Sequence, residues 1–178
     1  GSHDVVFDDV VFPLDHEIDV RKPEEWRVPD FTQSTVHAIF VAAIYDGIAR
    51  AARDWLVDFL RSRVPSNLGA SLATLPRVQD VVGGIEARLA VNARLIDSFA
   101  GDFDDGVLLS ASESNIVKLT VTNNAVAVVE DALSLTSNHG LTRANPLERH
   151  YRDVLCGRVH TPQDDATRSI AGRLALGL

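Results

Sequence analysis

The sequence predicts an all-α protein, an up-and-down four-helix bundle preceded by a short extended segment. Apolar residues recur at three- and four-residue steps over three stretches that are too long to be strands. Turn-forming residues fall between those stretches, at Pro65-Ser66-Asn67 and Gly69, at 101–106 and at His139-Gly140. A period of two occurs once, at the front of the chain, with no second strand signal beside it. Since a lone strand is not stable in water, its partner sheet is expected in another part of a longer protein.

Taken in order, Gly1-Ser2-His3 reads as the remnant of a removed expression tag. Residues 4–20 alternate valine or phenylalanine with aspartate until Pro13 interrupts the run, and 21–33 are rich in proline and charge, as in a connecting segment. Residues 4–33 are therefore expected to be the end of a preceding β-domain plus a linker, and 34–178 the bundle. Ser34 or Thr35 is the expected cap of the first helix, whose stripe runs through Val36, Phe40, Ile44, Ile48, Trp55 and Phe59 to Arg63. The second helix is expected over 74–100 with Pro76 in its first turn, followed by an acidic turn, GDFDDG. The third is expected over 113–138. Its run of β-branched residues is ambiguous by propensity, but its length excludes a strand, and His139-Gly140 supplies a stop. Pro146 opens a fourth helix to about 155, and a last one follows Pro162 over 163–176.

Composition narrows the function. The chain has 178 residues, 46% of them hydrophobic and 24% charged, which is ordinary globular usage for one domain. Its net charge of −8 argues against nucleic-acid binding, which relies on a basic face. The one cysteine, Cys156, cannot form an internal disulfide, and no Cys/His cluster suggests a metal. The nearly uncharged stretch from Val36 to Tyr45 is too short to span a bilayer, so no membrane partner is expected and a cytoplasmic location is. The acidic pairs Asp8-Asp9, Asp104-Asp105 and Asp164-Asp165 read as solvated, and Asp46 as a helix-pairing or solvated carboxylate.

The most informative stretch is NPLERHYRDVLCGRVHTP, residues 145–162, a helix start dense in charge that ends in a loop holding His160. It resembles the C-terminal helical domain of the acyl-CoA dehydrogenase superfamily, in which a P-x-E-[RK]-x-x-R-D run follows a Gly-containing turn. Val6 to Pro13, VFDDVVFP, is similar to the strand that closes the family's middle β-domain. The resemblance implies that Arg63, at the end of FLRSR, and Ser137, Asn138, His139 and Gly140, at the family's glycine-rich turn, contact a flavin, FAD or FMN, in a full-length protein. It also implies a homo-oligomer, a dimer or tetramer built through the bundle.

In the dehydrogenases the loop after the R-D run carries a glutamate base. The matching position here is Thr161, whose hydroxyl is no base at neutral pH. His160 beside it makes the loop similar to that of the flavin-dependent monooxygenase branch, the dibenzothiophene monooxygenase-like proteins. There, reduced flavin from a separate reductase reacts with oxygen, and a loop histidine is implied as the catalytic group. Where some of those enzymes have a second histidine, this chain has Gly157. A true dehydrogenase with its base elsewhere, and a bundle serving oligomerisation alone, remain the two alternatives. The fragment by itself is expected to be inactive.

Overall fold

The computed structural model describes residues 4–17, 19–27 and 30–178. Six helices follow one another: α1 (Phe31–Ser62), α2 (Pro76–Asp104), α3 (Ala111–Thr136), α4 (Asn138–Leu141), α5 (Leu147–Leu155) and α6 (Asp164–Ala175). Short 3-10 turns occupy Leu14–His16, Glu25–Arg27, Leu72–Thr74 and Cys156–Arg158. Among the described residues there is no strand. Residues 4–13 lack regular structure, with Val5, Val6, Phe7 and Val11 exposed, and no strand pairs with them among the described residues. The expected tag remnant, residues 1–3, lies outside the described residues.

Cross-links between helices set their directions. Asp46 pairs with Asn92 and Arg53 with Glu86, so α1 and α2 run antiparallel. Arg88 pairs with Asp131 and Asn92 with Asn124, so α2 and α3 do too. α3 is the central element, packed against α1, α2, α5 and α6, and the fourth side of the bundle is filled by short helices in place of one long one. Its centre explains how a β-branched run stays helical. Val121, Val126, Val128 and Val129 are fully buried, and burial on several sides outweighs a small propensity penalty. A capping box starts the helix, with Ser110 Oγ accepting from the Glu113 amide while the Glu113 carboxylate accepts from the Ser110 amide.

Several boundaries differ from expectation, each for a local reason. α1 starts four or five residues earlier than expected, because the Asp30 side chain accepts from the Gln33 amide and serves as the cap in place of Ser34 or Thr35. α2 continues through most of the acidic segment to Asp104, and Gly106 at φ 77° makes the turn. α3 stops at Thr136, before His139-Gly140, because Ser137 adopts φ 50° and leaves the helical path; 138–141 then form the separate turn α4. By length and composition α1 is apolar enough to cross a membrane, but half of its apolar window is buried in the bundle, as a core helix would be.

Candidate functional site

The 157–162 loop joins α5 to α6 and lies over α1 and α3. His160, its sequence-predicted catalytic residue, is exposed, and its Nδ1 lies 3.2 Å from Tyr45 Oη on α1. The two rings meet edge to face, 6.0 Å between centroids. A second imidazole, His37, stands 6.0 Å away in the same T-shaped relation. His37 and Tyr45 are eight positions apart on α1, close to two turns, so both project from one face. A groove of about 420 Å³ opens beside them, lined by Gln33, Ser34, His37, Asn115, Thr161 and Pro162.

Beneath the loop lies Lys118, with no exposed surface. Its Nζ donates to the carbonyls of Gly157 (2.7 Å), His160 (2.9 Å) and Pro162 (2.9 Å) and stands 3.6 Å from Asp164 Oδ1. Asp164, read in the sequence as a solvated acid, is buried. Its other oxygen accepts from Asn123 Nδ2 at 2.8 Å. Three carbonyls match the three N–H donors of an ammonium, although burial depresses the Lys118 pKa and the nearby Asp164 only partly restores it.

The electrostatics of the loop favour a neutral His160. Removal of water from around the ring lowers its pKa first, and the His37 and Lys118 charges lower it further. Burial raises the Tyr45 pKa, with Cys156 and Asp153 adding to the effect, so the phenol stays protonated. The protonated phenol and Nδ1 are hydrogen-bonded to one another, with the direction set by the imidazole tautomer. Gly157 is buried, and a Cβ there would approach Thr122 Cβ and the Tyr45 ring at 3.3 Å. A side chain at that position would press on Thr122 and Tyr45, and the imidazole that does stand near His160 is that of His37, from α1.

The sequence-predicted flavin contacts lie elsewhere. Arg63 caps α1, its amide donating to Phe59 O at 2.9 Å, and its exposed side chain makes no ion pair among the described residues. The His139 ring sits 5.2 Å from that of Phe59, which brings the 137–140 turn to the same end of the bundle. Ser137, Asn138 and His139 are exposed. Gly140 is buried, and a Cβ would collide with Thr136 Oγ1 and crowd Leu133 and Leu147, so internal packing accounts for that glycine. From Tyr45 to Phe59 is about 21 Å along α1. His160 and the 137–140 turn are therefore not brought together within one copy of the chain.

Sequence reasoning missed His37, Tyr45 and Lys118. The first two were visible as an i, i+8 pair on one helix face, and the third as a lone cation inside an apolar run, IVKLTV. Asp46, by contrast, is only 5% exposed and held by Arg50 Nε at 2.6 Å and Asn92 Nδ2 at 2.9 Å, which makes it a helix-pairing residue. Arg152 pairs with Glu148 one turn away on α5.

Residues 39–164, most of the chain, match the family described as "Acyl-CoA dehydrogenase, C-terminal domain". The chain belongs to the acyl-CoA dehydrogenase family. It is this family's C-terminal helical domain, and its fold agrees with the solved acyl-CoA dehydrogenases. Butyryl-CoA dehydrogenase from Megasphaera elsdenii superposes with a TM-score of 0.74 at 21% identity, covering 80% of this chain and 37% of that one. Among curated relatives, the acyl-CoA dehydrogenase-like protein YdbM of Bacillus subtilis (strain 168) is 33% identical over 174 residues, covering 93% of this chain and 43% of its own length. The L-evernosamine nitrososynthase of a Micromonospora species is 32% identical over 191 residues, with 100% of this chain and 44% of that protein covered. The chain thus spans about two fifths of the length of these relatives.

Proposed function

We propose that this chain is the C-terminal domain of a flavin-dependent oxidoreductase of the acyl-CoA dehydrogenase superfamily and that the enzyme is monooxygenase-like, using reduced flavin and oxygen on a small organic substrate. The observation that carries the reading is the loop itself. By the sequence resemblance Thr161 takes the place of the dehydrogenases' carboxylate, and the adjacent His160 has its pKa lowered and is hydrogen-bonded at Nδ1 to Tyr45. The carboxylate most easily imagined as a substitute base, Asp46, is already committed to Arg50 and Asn92. Similarity to a nitrososynthase, an enzyme named for making a nitroso group, supports the oxygen-using branch. In the same proposal, residues 4–33 are the end of a preceding β-domain with its linker, and the enzyme is cytoplasmic and supplied by a separate flavin reductase.

The residues present fit a flavin, taken here as FAD. Arg63 offers an exposed guanidinium and Ser137, Asn138 and His139 offer exposed polar groups at one end of the bundle, suited to a phosphate. When bound, the flavin supplies the redox chemistry. In this proposal Tyr45 donates to Nδ1 and so holds the ring's orientation, which leaves the proton on Nε2 for an oxygen placed against it. Lying about 21 Å apart, the two ends act on different parts of a dinucleotide or on cofactors shared with a second copy. The second copy has a surface to use. Phe40 and Phe103 border an apolar groove of about 250 Å³ between α1 and α2, and Phe40 is 66% exposed.

The test uses the full-length protein carrying chemically reduced FAD, mixed rapidly with oxygen, as wild type and as His160→Ala. A distinct slow phase before full reoxidation, lost or shortened at least tenfold in His160→Ala, is expected. Single-phase reoxidation unaltered by the substitution, together with anaerobic reduction of the flavin by an acyl-CoA, would establish the dehydrogenase instead.

A further inference from the structure

We infer that Lys118 is the positioning residue of this site: its buried amine ties three carbonyls of the 157–162 loop to α3 and thereby sets where the His160 imidazole stands. The inference deepens the proposed function and rests on it for the meaning of His160, though not for the tie itself. An amine carried into a helical core is costly unless its donors are matched. Here every match is with one loop. The carbonyls of Gly157, His160 and Pro162 lie at 2.7, 2.9 and 2.9 Å, and among the described residues no α-helix contributes a neutral acceptor. The carbonyl in the middle of that set belongs to His160 itself.

The surroundings are organised around this contact. Asp164, the first residue of α6, balances the charge at 3.6 Å and is held by Asn123 one turn further along α3. On the other side of the loop, the amides of Val159 and His160 donate to Cys156 O at 3.2 and 2.9 Å, which closes the backbone on the end of α5. Gly157 packs directly on Tyr45, so the residue that Lys118 grips also abuts the partner of His160 Nδ1. The charged and titratable groups facing His160 are therefore His37 and Tyr45 from α1 and Lys118 from α3. Lys118 is the one among them that fixes main chain. The chain's other lysine, Lys22, is exposed.

Lys118→Met in the full-length protein tests this. Methionine keeps the length and apolar stem and removes all three donors. We expect a folded protein whose core amides in α1 to α3 exchange as in wild type, while amides of 157–162 exchange at least tenfold faster. The acid midpoint of the oxygen reaction should move up, toward an ordinary histidine, and kcat should fall more than tenfold with KM within twofold. A folded variant with loop exchange within twofold of wild type, or with an unmoved acid midpoint, overturns the inference. If Lys118→Met does not fold, the wild type decides. Acylation of Lys118 by acetic anhydride should proceed at the opening rate measured from the Val159 and His160 amides. Acylation while those amides stay protected overturns the tie. Because the exchange arm does not depend on catalysis, an inert His160→Ala would remove the functional reading alone.

Discussion

At the scale of single residues, the site rests on one hydrogen bond that can be removed without disturbing packing. Tyr45→Phe keeps the ring that contacts His160 and Gly157 and deletes the hydroxyl on Nδ1. Where that hydroxyl donates to Nδ1, as in the proposed arrangement, it favours the neutral imidazole, so its loss raises the His160 pKa. An NMR titration of the ring should show the shift upward. A value that stays put would mean that water replaces the phenol at no cost. Activity requiring neutral His160 fails on the acid side, so the acid limb of the pH profile in Tyr45→Phe should move up with the titration.

At the scale of elements, α1, α2 and α3 are joined by a polar network in an otherwise apolar core. Asn92, fully buried, donates to Asp46 Oδ1 at 2.9 Å and Val121 O at 3.3 Å and accepts from Asn124 at 2.9 Å. Arg50 reaches across from Asp46 to Leu89 O at 3.1 Å. Asn92→Ala would leave a buried oxygen of Asp46 and the side-chain amide of Asn124 without this partner at once, costing about 2 kcal/mol. For a chain of this size that is a fall in Tm of about 6 °C by calorimetry, and an unchanged Tm would show that water enters the gap. Neither this network nor the register it sets was legible beforehand. Periodicity does reveal which residues face inward, so the three long helices and the two shorter ones could be read from the sequence. It does not reveal which helix faces which, so the contacts across them stayed hidden. The same limit applies to the site. Position in a motif located the His160 loop, whereas His37, Tyr45 and Lys118 come from helices remote in sequence and only folding places them there. The helix ends were misjudged where side-chain caps decided, as at Asp30, or where a residue other than glycine took a positive φ, as at Ser137.

At the scale of the whole molecule, two pH effects oppose each other. The net charge is −8 at pH 7 and the pI is about 5.1, so acidification relieves self-repulsion and favours the folded state. The histidines act in the other direction. His150, half-buried on α5, has its pKa lowered by burial and then by Arg149, with Asp153 opposing, and His160 is lowered by burial, His37 and Lys118. A histidine whose folded pKa is depressed binds fewer protons folded than unfolded, so its contribution to stability is complete above about pH 6.5 and is lost as the pH falls through the lowered folded values. His150→Gln combined with His160→Gln removes this term and leaves the relief of repulsion. Between pH 7.5 and 5.5, therefore, the double variant should gain in Tm relative to wild type. Thermal unfolding of both proteins at the two pH values measures the difference, and parallel curves would mean that the two imidazoles titrate alike in the folded and unfolded chains.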